Sequence, residues 1–167
     1  FSLGASVAAH LANRLDVDLM LLFGVNPHAD DPEKYQLRRD LEGDVLAHGG
    51  RKAMSAFVPE IHGVNAEVVL KTILYMAEAC GHEISAQTTL ALGRPGACPA
   101  LSKARYPVLA LTGSEDRTTP LSLARDAVGA TLNGKVTCLA GLGHYALLED
   151  PQACKTVLEL YLKELIK

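Results

Sequence analysis

Three short runs end in the same way. VDLMLLFGVNP, YPVLALTGSED and GKVTCLAGLGH are each apolar over consecutive positions and each broken by glycine as the chain passes into a polar loop. Consecutive rather than alternating apolar residues suit strands buried on both faces, and helical stretches separate the three. That pattern predicts an α/β fold in which a parallel sheet is covered by helices. At 167 residues with 49% apolar side chains, the chain is long enough to bury a core of this kind.

The helical stretches differ in texture. ASVAAHLANRL near the start predicts a helix, and DPQACKTVLELYLKELIK at the end predicts another, with Asp150 as its cap and Pro151 in its first turn. Cys154, Val157, Leu158, Tyr161 and Leu165 recur at helical spacing there, which puts one face on the sheet. Between the first and second apolar runs, residues 28–103 combine a charged helical segment, DDPEKYQLRRDLEGDVLA, with NAEVVLKTILYMAEACG. The latter places Val69, Ile73, Met76 and Cys80 on one face and stops at Gly81. The expected organisation is therefore a core of residues 1–27 and 104–167 interrupted by a helical cap of residues 28–103, with packed crossover helices as the other reading of that span.

Charge and cysteine usage narrow the partners. A net charge of −3, without a block of like charge, leaves no electrostatic footprint for nucleic acid or an anionic membrane. The expected partner is a small molecule or a protein. Cys80, Cys98, Cys138 and Cys154 are widely spaced, with no C-x-x-C pair, so they are expected to be buried free thiols in a reducing, cytoplasmic setting. The apolar stretch LMLLFGV is too short to span a bilayer, and nothing upstream of it reads as a signal peptide.

Three residues could do acyl chemistry, two of them at the ends of these runs and one at the head of the first helix. Ser2, in FSLGAS, is either an ordinary helix cap or a nucleophile on a sharp bend, the second half of G-x-S-x-G, with Gly4 and Ala5 small enough for the bend to pack closely. Asp116, in LTGSEDRTTP, follows the second run just before a helix beginning at Thr119 and Pro120, where a carboxylate can project from the sheet edge; Glu115 is its close rival. A plain loop or capping carboxylate is the other reading. His144, in AGLGHYALLEDP, follows the third run between glycines and a helix. Hydrolysis by a serine needs a hydroxyl, a base and an acid to orient that base, and serine, acid, histidine is the order in which α/β hydrolases carry them. His10, His28, His48, His62 and His82 lack such a setting. SLGASVAAHLA has too few glycines for a dinucleotide fingerprint, the P-loop lysine is missing, and NPHADD reads as an exposed polar loop rather than a metal site.

On these residues the chain resembles the C-terminal portion of an α/β-hydrolase-fold serine hydrolase, similar to small carboxylesterases and enol-lactonase-like enzymes with a helical cap. The resemblance runs through FSLGASVAAHLANR, LMLLFGVNP, QTTLALGRPGACPAL, PVLALTGSEDRTTP and GLGHYALLEDPQA, and so covers essentially the whole chain. It implies Ser2 as nucleophile, His144 as base and then acid, Asp116 as the residue orienting the imidazole, and the Leu3 backbone N–H as an oxyanion donor. It implies a cofactor-free reaction on an ester, thioester or lactone. Acyl transfer, perhydrolysis, C–C hydrolysis, or a non-catalytic relative binding a ligand or partner are the alternatives. In that family the serine follows the fifth strand of eight, so this chain would carry strands six to eight only. A fragment is therefore expected, inactive alone, with an unpaired edge completed by the N-terminal part of the same polypeptide or a complementing chain.

Overall fold

In a computed structural model, which describes residues 1–165, the three apolar runs form strands β1 (Met20–Phe23), β2 (Val108–Gly113) and β3 (Gly134–Leu139). They are parallel and ordered β1-β2-β3, with Met20 beside Val108 and Val108 beside Gly134. The central strand, VLALTG, is buried at every position, which is why its sequence does not alternate. β3 lies at an edge and carries Lys135, a residue type that discourages edge-to-edge pairing.

Alternate side chains of the sheet feed two cores. Met20, Leu22, Val108 and Ala110 point to one face and meet the alanines of helices α1 (Leu3–His10) and α7 (Leu121–Gly129) and Leu101 of the short helix α6 (Cys98–Leu101). Ala5, Ala9, Ala124 and Ala127 are fully buried there, small enough for the helices to approach the strands closely. Tyr106 closes this face by donating its hydroxyl to the Ala12 carbonyl at 2.7 Å. Phe23, Leu109, Leu111 and Leu139 point to the other face, against helix α9 (Pro151–Leu165) and the short helix α8 (Ala146–Glu149). Asp150 caps α9 as its sequence predicts, accepting the Ala153 N–H at 2.9 Å. Cys154 and Tyr161 are its buried stripe, with Val157 and Leu158 packed beside them, whereas Leu165 is exposed.

The chain divides into two units. The first comprises residues 1–27, 59–65 and 97–167 and contains the sheet; the second comprises 28–58 and 66–96. Residues 59–65 and 97–103, inside the span read from the sequence as one insertion, thus belong with the sheet. The second unit holds α2 (Tyr35–His48), α3 (Gly50–Met54), α4 (Ala66–Ala79) and α5 (Ile84–Gly93). Val45, Ala53, Val69, Ile73 and Ala91 are its buried apolar side chains. Gly50 lets α3 touch α4, because a Cβ there would run into the Ala77 carbonyl. Met76 and Cys80, expected on the buried face of α4, are exposed; Val69 and Ile73 are the residues of that helix that are buried.

Two further expectations are corrected. All four cysteines are free, but only Cys154 is buried; Cys80 and Cys138 are exposed and Cys98 is half-buried. The NPHADD loop is not simply solvated. Asp30 turns inward, its side chain 5% exposed, and binds Arg38 through both carboxylate oxygens and the buried Arg94 at 3.5 Å. Among the described residues no helix is long and apolar enough to cross a membrane.

Candidate active site

The ends of the three strands bring Ser2, Asp116 and His144 together. Ser2 precedes α1 and is the one non-glycine residue with positive φ among those described, at φ 51° and ψ −122°. Its N–H donates to the Phe23 carbonyl at 2.9 Å, which fixes the bend against the end of β1. The reading of Ser2 as a helix cap is thereby excluded, since its side chain makes no capping bond to α1. Instead its Oγ lies 3.0 Å from His144 Nε2. Strained backbone of this sort persists only where the surroundings enforce it, and it clusters at reactive positions.

Among the described residues a Cβ at Gly4 would meet nothing within 4 Å. Leu3 is the first residue of α1, so its backbone N–H belongs to the turn whose donors have no intrahelical acceptor.

The loop after β2 is built around Asp116. Thr118 and Thr119 donate their backbone N–H groups to Oδ1 at 2.9 and 2.8 Å, while the Thr119 hydroxyl donates to Oδ2 at 2.7 Å. His144 Nδ1 lies 2.9 Å from the same Oδ2. Burial by itself would raise the Asp116 pKa; the hydrogen bond and charge of His144 and the Thr119 N–H and hydroxyl outweigh it, and the value is lowered. An ionised acceptor beside Nδ1 assigns the proton to that nitrogen, which leaves Nε2 free to accept from the Ser2 hydroxyl. Glu115, the rival acid, is exposed and accepts the neighbouring Ser114 hydroxyl.

The histidine loop is stitched to the acid loop by three hydrogen bonds. Glu115 N–H donates to the Leu142 carbonyl, Ser114 N–H to Leu139, and Gly141 N–H to the Ser114 hydroxyl, all within 2.9 Å. Glu149, buried at the end of α8, accepts the Gly143 N–H on one carboxylate oxygen; its other oxygen has no hydrogen-bond partner among the described residues. Phe1, tilted, and Tyr145, edge-on, pack around the imidazole, with ring centroids 4.8 and 5.4 Å from it. Burial, then the charges of Asp116 and Glu149, raise the Tyr145 pKa.

Thr119, Gly24, Glu149 and Tyr145 escaped the sequence reading. The available signals were a threonine three positions after the acid and a carboxylate five after the histidine, both easily taken for helix-start chemistry. Of the other histidines, His62 lies against the histidine loop, its Cδ2 2.7 Å from where a Cβ on Gly143 would stand, while His48 pairs with Asp44 and His82 with Glu83. Among the described residues no three His, Cys, Asp or Glu side chains gather as metal ligands.

No protein-family model matches the chain, and no curated protein matches it in sequence. Solved structures do match. An esterase from Thermogutta terrifontis superposes with a TM-score of 0.87 at 20% identity, over 99% of this chain and 63% of its own. An enol-lactonase from Burkholderia xenovorans gives 0.81 at 18%, over 98% and 64%. An esterase from Exiguobacterium antarcticum gives 0.81 at 16%, over 98% and 65%. The fold is that of the α/β hydrolases, present in part: the chain spans less than two thirds of the length of these structures.

Proposed function

We propose that this chain carries the reactive centre of a serine hydrolase that cleaves a carboxylic ester, thioester or lactone through an acyl-serine intermediate. The observation that supports this best is the unbroken relay from Ser2 Oγ to His144 Nε2 at 3.0 Å and from His144 Nδ1 to Asp116 Oδ2 at 2.9 Å, with the serine on a strained bend. A structure that merely bound a ligand would have no need of that strain. The names of the matched esterases and enol-lactonase agree with the reading.

The chemistry follows from the proton positions. Ser2 Oγ attacks the acyl carbon as its proton passes to His144 Nε2, and Asp116 stabilises the imidazolium by holding Nδ1–H. The oxyanion that forms is met by the Leu3 N–H. His144 then returns the proton to the leaving alcohol, thiol or lactone oxygen, and the acyl-serine remains. Water, deprotonated by the same nitrogen, releases the acid and restores Ser2.

The rest of the expected organisation enters as part of this proposal. The helical second unit acts as a cap and selects the acyl group. A second oxyanion donor and a partner strand for the free edge of β1 come from the remainder of the same polypeptide or a complementing chain. The test is a panel of short and long acyl esters, a thioester, a lactone and a dienone, assayed with the intact protein and its Ser2→Ala variant. Turnover of an oxygen or sulfur ester that vanishes in the variant is expected. Turnover of the dienone alone would move the activity to C–C hydrolysis, and equal rates in both proteins would overturn the reading.

A further inference from the structure

His144 Nδ1 faces two acceptors rather than one. Besides Asp116 Oδ2 at 2.9 Å, the Thr119 hydroxyl oxygen lies 3.2 Å away, and the proton of that hydroxyl is already committed to Asp116 Oδ2 at 2.7 Å. A hydroxyl that donates to the carboxylate turns its lone pairs toward the imidazole N–H, so Thr119 closes a three-membered ring of hydrogen bonds with the acid and the base. Its own position is fixed from behind: the Thr112 hydroxyl donates to the Thr119 carbonyl at 2.9 Å, and the Thr119 N–H is held by Asp116 Oδ1.

Gly24 supplies an independent sign that the pair needs room. It follows β1 with φ at +59°, and a Cβ there would stand 3.0 Å from Thr119 Oγ1, 3.2 Å from His144 Cε1 and 3.4 Å from Nδ1. The Gly24 N–H continues the sheet by donating to the Leu111 carbonyl at 3.0 Å, so the backbone at this position has little freedom to withdraw. The first strand therefore ends against the Thr119–His144 contact.

We propose that Thr119 is a positioning residue for the base: its hydroxyl shares the His144 Nδ1 proton with Asp116 and so fixes the imidazole rotation that aims Nε2 at Ser2. This rests on the hydrolase reading above. Asp116 holds Nδ1 from one side, and the Thr119 hydroxyl, on a different residue, adds a second constraint on the ring's rotation. Burial makes the constraint effective, since water cannot take the place of the lost acceptor.

The test compares Thr119→Val, which keeps the shape and removes the hydroxyl, with Thr119→Ser, which keeps the hydroxyl. Both are made in the intact protein, with circular dichroism to verify folding and Thr119→Ala as the smaller replacement should valine unfold it. The second-order rate of fluorophosphonate labelling of Ser2 is expected to fall about tenfold in the valine variant, the loss of one hydrogen bond to a charged pair, and to stay within about twofold of the parent in the serine variant. The His144 Nδ1–H resonance in the proton NMR spectrum is expected to move in the valine variant and hold in the serine one. A valine or alanine variant that labels at the parent rate, or a serine variant as slow as valine, overturns the proposal. A folded parent that takes no label defeats the hydrolase reading instead, and the resonance then decides by itself: one that is unmoved by removing the hydroxyl sinks the Thr119 contact as well.

Discussion

The Ser2 N–H is bonded to the Phe23 carbonyl at 2.9 Å, so a serine with φ of 51° is tied to the last residue of the first strand. The tether explains how a bend unfavourable for any residue with a Cβ survives. Glycine would adopt it freely. Ser2→Gly is accordingly expected to stabilise the intact protein by about 1 kcal/mol, net of the added freedom of the unfolded chain, while abolishing turnover. Urea denaturation beside an ester assay checks both; a destabilised glycine variant would show that the bend is not strained.

The close passage of the acid and histidine loops makes a second prediction. Gly113, at the end of β2, faces the Leu142 and Gly143 carbonyls so closely that a Cβ would overlap backbone. Backbone cannot rotate aside as a flexible side chain can. Gly113→Ala should cost more than about 2 kcal/mol and displace His144, read as a lowered midpoint in urea and slowed labelling together.

Glu149 holds the same loop. Its carboxylate accepts the buried Gly143 N–H directly before His144. Replacing it by alanine leaves that donor unpaired, an expected loss of about 2 kcal/mol, whereas Glu149→Gln keeps an acceptor and should retain most of the stability. Thermal melts of the two variants separate these outcomes.

Acid stability reports on Asp116. Its pKa lies below the ordinary aspartate value of 3.8, despite the opposing effect of burial, because His144 and Thr119 hydrogen-bond the ionised form. The folded state therefore binds this proton less readily than the unfolded one. The stabilisation is complete above about pH 4 and lost as pH falls through the lowered folded value. Asp116→Asn should flatten the parent's fall in melting temperature below pH 4, and it should reduce turnover by roughly a thousandfold or more, since the imidazole loses the partner that sets its tautomer. Melting curves from pH 6 to 3 and a kcat measurement test the two halves separately.

The sequence made the sheet legible because its runs are short, apolar and closed by glycine; it made Asp116 and His144 legible because each follows such a run, and Ser2 because it opens half of a G-x-S-x-G pattern. The structure adds what pattern cannot carry. Thr119 looked like the start of a helix because the contact of its hydroxyl with His144 joins residues 25 positions apart. Asp30 looked solvated because its partner Arg94 is distant in the chain, and an ion pair of that range leaves no local periodicity. Cys80, Met76 and Leu165 were assigned to buried faces by spacing alone, although a helix stripe marks where a side chain could pack and not how far its neighbour extends.

The most direct test is to treat the folded intact protein with a fluorophosphonate and map the adduct by peptide mass spectrometry. One label per chain on Ser2, lost when His144 is changed to glutamine, is the predicted result. A folded protein that stays unlabelled, or one modified at another serine while Ser2 remains free, would contradict the account.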